Sequence, residues 1–533
     1  MKTEVHISTR DKIGGAAIAA WRLHEGMQEL GMDSRVVSRY RTWNGPDVSC
    51  ISTPLFEAAD LFHQNRVVPA QPEAATLFSL SPVSVPLLDH PWIAGADVVH
   101  LHWVAQFLAP EDIAELCKAG KTVFWTFHDQ WPYTGGCHYI GDNPRQEDDW
   151  DGTAQIGASM HKFARMELER KKQAFADAPI HVIAPSRWMA DQAAASGVFH
   201  PERIHIVPYG IDTTIFCPSD SGNESQDLGD NGEVNLLFGC QYLGEHRKGY
   251  RELQQALLHC MADPLFAKAV ADDRIRMTTF GAVPEGGLDL PIPTTHLGML
   301  LGEKEVRDVL RVSSAFVCPT LEDNLPNVVM ESLACGCPVL AFSTGGIPDM
   351  VSHEESGLLA PKGDVLALAQ CLIRFCRDDR LRQRLRSGTN HSRSGDRSLQ
   401  TQASRILELY EAASQALETA SGTKLADCLP SITVDAKILP HFGTEMARMF
   451  LEEKSIYQSD CARRADELTA TLVRALEQVA QPQQPITESQ QQVNQLQQQL
   501  QSESSTKIQQ QIVIEDLRSN LIALKVKIED LKE

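Results

Sequence analysis

Positive charge is scarce in this chain. Lys and Arg total 49 against 70 Asp and Glu, a formal net charge of −21 over 533 residues. Nucleic-acid phosphates need a basic footprint, so general nucleic-acid binding is excluded. Long apolar runs are also missing. No window approaches the ~20 apolar residues that a membrane-spanning helix needs. The opening stretch MKTEVHISTRDKIGG has no apolar segment of the signal-peptide kind, and a cytoplasmic protein is expected. Disulfide spacing is absent. The 13 cysteines are scattered, with only Cys335 and Cys337 within three residues of each other. An odd, patternless set fits reduced thiols acting as small buried hydrophobes. There is no Walker loop and no GxGxxG. What is plentiful is apolar material, 43% of the chain. Wholesale disorder is therefore excluded, and the length suggests about three units.

Residues 1–418 alternate short β-branched runs with longer helical patterns. Strands are expected at Glu4–Ser8, Val98–His102, Val123–Phe127, His181–Ala184, Ile204–Val207, Val234–Phe238, Ala315–Cys318 and Val339–Phe342. Several are apolar at successive positions, as when helices cover both faces of a parallel sheet. Helical patterns such as Gly15–Leu30 and Lys162–Ala176 lie between them. This is an α/β alternation. It restarts after 213–233, a stretch rich in Ser, Gly, Asp and Pro that reads as a linker. Two doubly wound domains facing a cleft are expected, with ligands beyond the carboxyl ends of the strands.

Four segments carry chemistry. The first strand runs into Gly14-Gly15-Ala16-Ala17 and a helix, so backbone can approach an anion there. His128 follows a strand with Asp129, Trp131, Gly135 and Gly136 close by, and imidazole is suited to proton sharing near neutral pH. Cys137-His138 is followed by IGDNPRQEDDWDG without further Cys or His, so zinc lacks ligands and no metal is expected. Arg247-Lys248 follows the strand that opens the second domain, a pair of cations fit for a diphosphate. The fourth segment is Pro319–Gly346, PTLEDNLPNVVMESLACGCPVLAFSTGG. Pro326 is placed near a helix start. Asp323 is placed at the helix entrance, with Glu331 about two turns in, ~12 Å along a helix at 1.5 Å per residue. Carboxylates so separated hold two parts of one ligand rather than act as a close acid/base pair. The free N–H groups around Asn324 to Asn327 suit a phosphate or a sugar hydroxyl.

This last segment resembles the retaining GT-B glycosyltransferases of family 4, the glycosyl transferases group 1. Their mark is an acidic residue, seven residues and Glu, then CG-x-PV and a GG turn. Here it stands as Asp323 and Glu331, Cys335-Gly336-Cys337-Pro338-Val339 and Gly345-Gly346. Pro348-Asp349, Glu355-Ser356-Gly357-Leu358-Leu359, PSRWMADQ (185–192) and IVPYGIDTTIF (206–216) continue the fit, which covers about 1–418. The resemblance implies two Rossmann-like domains, 1–212 for the acceptor and 213–399 for the nucleotide sugar, with a return helix at about 400–418 on the first. It implies that a nucleotide-diphosphate sugar is the donor, with no cofactor, and that a saccharide or lipid-linked molecule is the acceptor. Glu331 would hold the ribose, and Asp323, with Asn324 and Leu325 beside it, the donor sugar. Lys248 with Arg247 would hold the diphosphate, Gly14 and Gly15 would face the phosphates, and His128 would sit at the reacting centre. Catalysis would be by positioning and charge. The sequence departs from the family in carrying Asp323 where Glu is commoner, and Cys240 where Arg follows Gly. Arg247 is the expected substitute for that Arg.

Residues 420–482 read as helical and 483–533 as a Gln-rich coiled coil. With a at Val493, the a sites include Leu500, Ile514, Leu521 and Ile528, and the d sites Leu496, Leu517, Leu524 and Leu531. That seam predicts a homo-oligomer through 493–531, with Ile at a and Leu at d favouring a parallel dimer. Lys162, Arg165, Arg170, Lys171 and Lys172 form a basic run that would give a peripheral contact with the inner membrane face. A role in surface polysaccharide or glycolipid synthesis is expected. An inert GT-B scaffold recruiting partners through the coiled coil is the alternative. A GT-B epimerase or phosphorylase is disfavoured by the seven-residue acidic spacing.

Overall fold

The computed structural model describes residues 3–72, 76–81, 84–141, 150–218, 233–284, 286–300, 302–392 and 397–421. The chain divides into two compact units, Met1–Ala447 and Arg448–Glu533. All described residues lie in the first. The expected helical region 420–482 falls outside them but for its first two residues, and the whole coiled coil, 483–533, does so too. So do 219–232 of the expected linker.

The first sheet is formed by β1 (Thr3–Arg10), β2 (Asp33–Tyr40), β3 (Val48–Cys50), β4 (Val98–Leu101), β5 (Thr122–Thr126), β6 (His181–Ala184) and β7 (Ile204–Ile206). Its order is β3-β2-β1-β4-β5-β6-β7 and every pairing is parallel. The second sheet contains β8 (Val234–Tyr242), β9 (Ile275–Ala282), β10 (Thr294–His296), β11 (Ala315–Cys318), β12 (Val339–Ser343) and β13 (Gly357–Pro361), ordered β10-β9-β8-β11-β12-β13 and also parallel. In each, the chain reverses direction across the sheet beside its first strand. That switch leaves a crevice at the strands' carboxyl ends.

The strands that sequence reading misses have a common cause. Asp33–Tyr40 carries Asp33, Arg35 and Arg39 around a single apolar pair, Val36-Val37, and Thr294–His296 is an exposed three-residue edge. Neither shows the continuous apolar run of a central parallel strand. β1, by contrast, is buried at six successive positions.

Helix Gly15–Glu29 and helix Leu399–Ser421 cover one face of the first sheet. Leu23, Met27, Ala403, Ile406 and Tyr410 pack there with Val98, Phe124 and Ile183. The C-terminal helix thus returns to the first domain. Ala19 of helix Gly15–Glu29 packs with Tyr209, Phe216, Leu325 and Met330, joining the two domains through one apolar cluster. The basic run on helix His161–Phe175 requires a correction. Lys171 is fully buried, donating from Nζ to the carbonyls of Trp131 (2.6 Å) and Thr134 (3.0 Å). Arg170 pairs with Glu111 and Glu167. Only Lys162, Arg165 and Lys172 are exposed, and Arg165 pairs with Asp151. Glu167 and Glu111 supply the charge that draws Arg170 inward.

Candidate active site

Gly14 caps helix Gly15–Glu29 with φ +100°, a conformation that favours glycine. The turn lies against the second domain. A Cβ on Gly14 would stand 3.9 Å from Gln241 Oε1, and one on Gly15 would stand 3.7 Å from Asn327 Nδ2. Asn327 Nδ2 donates to the Gly15 carbonyl at 2.9 Å.

The acidic motif is a loop and then a helix. The helix runs Asn327–Ala334 with Pro326 at its cap. Asp323 therefore precedes the helix by four residues, and Glu331 lies just over one turn inside it. The two-turn expectation is corrected: Pro326 holds the residue before it away from helical geometry. Gly345 seals this loop from below. Its φ is +54°, and a Cβ there would meet the Asp323 carbonyl at 1.7 Å.

Asp323 is the counter-ion of both predicted cations. Its Oδ2 accepts from Lys248 Nζ at 2.7 Å and from Arg247 Nη1 at 2.8 Å. Burial alone would raise its carboxyl, but Lys248 and Arg247 outweigh burial and hold it down. Arg247 also lies over the Tyr139 ring at 4.3 Å and donates to the Glu322 carbonyl at 2.7 Å. Asn324 ties the loop to the first domain: Nδ2 donates to the Phe127 carbonyl (2.8 Å), and Oδ1 accepts from Ser186 Oγ (2.8 Å). Leu325 is buried in the interdomain apolar cluster.

Glu331 faces a residue that sequence reading passed over. Arg22 Nη2 donates to Glu331 Oε1 at 2.7 Å and to Glu303 Oε1 at 2.7 Å. Burial raises the Glu331 carboxyl, with Arg22 pulling the other way. Arg22 Nη1 and Asn327 Oδ1 are buried without a hydrogen-bond partner among the described residues.

His128 closes the first-domain side. Its Nε2 lies 3.2 Å from His102 Nδ1 and its Nδ1 2.7 Å from Tyr209 OH, with the Tyr209 ring stacked upon it. Burial pushes this imidazole down to about 3. Behind it, ring nitrogens of His6, His100 and His102 lie within 4.8 Å of one another. His100 spends its nitrogens on Tyr410 OH and Thr126 Oγ1 and stacks parallel on His102. The group is a hydrogen-bonded network. A signal existed in the sequence: His100 and His102, two apart on a strand, must share a face.

Two cations, two carboxylates and a glycine turn thus meet where the two domains face each other. The family model described as glycosyl transferases group 1 matches residues 242–378, and that described as Glycosyltransferase Family 4 matches residues 13–215. A D-inositol 3-phosphate glycosyltransferase of Frankia alni is 25% identical over 55% of this chain and 68% of its own length. An alpha-maltose-1-phosphate synthase of Mycolicibacterium smegmatis is 29% identical over 36% of this chain and 50% of its own length. Against that second relative the chain spans only half the length. HepE of Anabaena, solved in complex with UDP and glucose, superposes with a TM-score of 0.51 at 15% identity, covering 77% of this chain and 100% of that one. Sucrose-phosphate synthase of Thermosynechococcus elongatus gives 0.50 at 16% identity, covering 78% and 100%. At such identity the two superpositions concern the fold.

Proposed function

The chain belongs to the glycosyl transferases group 1 with the GT-B fold, and from that premise we propose that it moves a sugar from a nucleotide-diphosphate sugar to a saccharide or lipid-linked acceptor with retention at the anomeric carbon. The observation that carries this reading is the pairing of Arg247 and Lys248 on Asp323 beside the Gly14–Gly15 turn, with Glu331 on the next helix. Arg247 also pairs with Glu245 at 2.9 Å, so the two cations are balanced by two carboxylates until a more highly charged diphosphate replaces Asp323. A diphosphate entering the cleft takes up those cations, and Asp323 is released towards the donor sugar's hydroxyls. Glu331 accepts from the ribose hydroxyls. The unpartnered Arg22 Nη1 and Asn327 Oδ1 are further polar contacts for the nucleotide. Leu325 and Asn324 shape the wall, and His128 flanks the reacting centre.

In the transfer, the bond from the anomeric carbon to the phosphate oxygen breaks. The acceptor oxygen bonds to that carbon on the same face, and the acceptor's proton passes to the departing phosphate. The protein supplies positioning and charge rather than a nucleophile, and Arg247 and Lys248 take the part that a metal ion plays elsewhere. The neighbour HepE is described with UDP-glucose, which makes uridine donors the first to test. The relatives' names, an inositol-phosphate glycosyltransferase and a maltose-phosphate synthase, make small phosphorylated polyols and sugars the first acceptors to test. The segment 493–531, outside the described residues, is assigned to self-association. Among the described residues no helix is long and apolar enough to cross a membrane, so a lipid-linked acceptor would be met at a membrane surface.

The test is release of nucleoside diphosphate from a panel of UDP-, GDP- and ADP-sugars, with and without saccharide acceptors. Release from one donor class, abolished in Lys248→Ala, supports the transferase. No release from any donor would leave the inert scaffold as the better account.

A further inference from the structure

Gly135, Gly136, Cys137 and His138 take no part in the transfer chemistry, yet the segment TGGCHY is built into the first domain with many bonds. His138 Nδ1 lies 2.6 Å from Asp129 Oδ2, and His138 Nε2 lies 2.8 Å from Ser79 Oγ. Thr134 Oγ1 donates to the Cys137 carbonyl at 2.6 Å, and buried Lys171 donates to the Thr134 carbonyl at 3.0 Å. Gly135 and Gly136 stand where nothing larger fits. A Cβ would come 2.1 Å from the Asp151 carbonyl oxygen in the first case and 2.7 Å from the Phe78 ring in the second. The pinning continues along the backbone. The Tyr139 carbonyl accepts from Thr76 Oγ1 at 2.8 Å, and Ile140 N–H donates to Gln130 Oε1 at 2.7 Å.

This fixed loop presents two groups to the second domain. The Tyr139 ring lies against the Arg247 guanidinium, 4.3 Å from centroid to carbon, and runs nearly parallel to Trp188. Gly141 N–H donates to Glu322 Oε2 at 3.0 Å. Arg247 and Glu322 are themselves joined, since Arg247 Nη1 donates to the Glu322 carbonyl at 2.7 Å. The loop therefore grips both Arg247 and the residue before Asp323. Arg247 is fixed along one edge by Glu245 Oε1, which accepts from Nε at 2.9 Å. Its Nη1 donates to Asp323 Oδ2 at 2.8 Å, and this is the bond that a diphosphate exchanges. A guanidinium stacked on an aromatic face keeps its in-plane N–H groups for oxygens. Once Asp323 lets go, Glu245 holds the far edge and Tyr139 holds the plane.

We propose that Tyr139 is a positioning residue for the donor: its ring keeps the Arg247 guanidinium oriented while Asp323 gives way to the diphosphate. The inference rests on the transferase reading above. Tyr139 is 7% exposed and acts through Arg247. The diphosphate site of the second domain is thus complete only with the first domain packed upon it.

The test is calorimetric titration of the full-length protein with UDP, GDP and ADP, each variant checked for folding by circular dichroism. Without the ring, ordering the guanidinium falls to the incoming diphosphate, and ordering one long side chain costs about three- to tenfold in affinity. Tyr139→Leu should raise Kd for the nucleotide that binds by that factor. Tyr139→Phe keeps the ring and should stay within twofold of wild type. Tyr139→Met, unbranched and adaptable, replaces the Leu variant if that one does not fold. In an Arg247→Ala background the loss of the ring should change Kd less than twofold, because the residue it acts through is gone. A merely structural role would weaken binding equally in both backgrounds, and that result overturns the proposal. So does wild-type affinity in Tyr139→Leu, or Tyr139→Phe binding as weakly as Tyr139→Leu. If wild type binds none of the three nucleotides, the transferase reading itself fails and takes this inference with it.

Discussion

Replacing Arg22 with Met should make nucleotide binding depend on pH. Arg22 is 3% exposed and gives Glu331 a 2.7 Å charged hydrogen bond across the domain interface. Met keeps most of the apolar stem against Phe216, whose ring lies 5.2 Å from the guanidinium carbon. The charge is lost. A hydrogen bond to a charged group contributes about 1.5–3 kcal/mol, so the ionisation constant of Glu331 falls by about tenfold to a hundredfold. Its carboxyl is already raised by burial, and Glu303 nearby adds a like charge once Arg22 no longer bridges them. The variant's Glu331 therefore takes up a proton on going from alkaline to mildly acidic solution. A protonated carboxyl is a poorer acceptor for ribose hydroxyls. Calorimetric titration with the nucleoside diphosphate should show a wild-type affinity that changes little from pH 6 to 8.5. For Arg22→Met it should fall about tenfold at pH 6 and recover towards wild type at 8.5. Equal pH curves for the two proteins would refute the argument that Arg22 keeps Glu331 ionised.

Other outcomes follow from the same geometry. Asn324→Ala removes the donor to the Phe127 carbonyl and the acceptor of the Ser186 hydroxyl proton, whose oxygen still caps Met189 N–H, at roughly 1–3 kcal/mol per buried group left unpaired. Its melting temperature should drop and small-angle scattering should report a more open molecule; an unchanged scattering profile would remove the latch role. Acid should destabilise the first domain. Burial holds His100 at about 4 and His128 at about 3, against 6.5 for a free imidazole. The unfolded chain thus binds protons that the native one does not. This contribution is intact above pH 6.5 and lost as pH falls towards 4, at roughly 1.4 kcal/mol per group per pH unit. Urea unfolding at pH 7 and pH 5 should differ accordingly, and His100→Gln should narrow the difference. Gly345→Ala forces a Cβ onto the Asp323 carbonyl and should abolish donor turnover; normal turnover would show that the acidic loop tolerates displacement. Truncation after residue 480 should give monomers by light scattering that retain donor turnover, and an unchanged mass would exclude self-association through 493–531.

Most of the sheet scaffold was legible because central parallel strands are apolar at consecutive positions, as in His181–Ala184 and Ala315–Cys318, which run as read. The edge strand Thr294–His296 was not, because it is exposed along its length and has no apolar run. The cleft residues that follow strands or open helices stood out by spacing: Gly14, His128, Lys248, Asp323 and Glu331. Their partners did not. Arg22 lies mid-helix in AAIAAWRLHEGM, where a lone arginine looks like a solvated face; only the second domain's Glu303 and Glu331 give it a reason to be buried. The engagement of Asp323 by both cations was invisible for the same reason, since it joins residues 75 and 76 positions apart. Lys171 reversed expectation because two backbone carbonyls accept from it, which no side-chain pattern reveals, while Glu167 one turn earlier serves as its counter-ion at 3.7 Å.

The most direct test of the account is nucleotide binding to the wild type and to Glu331→Ala and Lys248→Ala, read by thermal shift across UDP, GDP and ADP. A ligand at 100-fold above its Kd adds about 2.7 kcal/mol of stability. The account predicts a clear shift with one of the three, weakened in both variants. No shift with any nucleotide, or an equal shift in wild type and both variants, would contradict it.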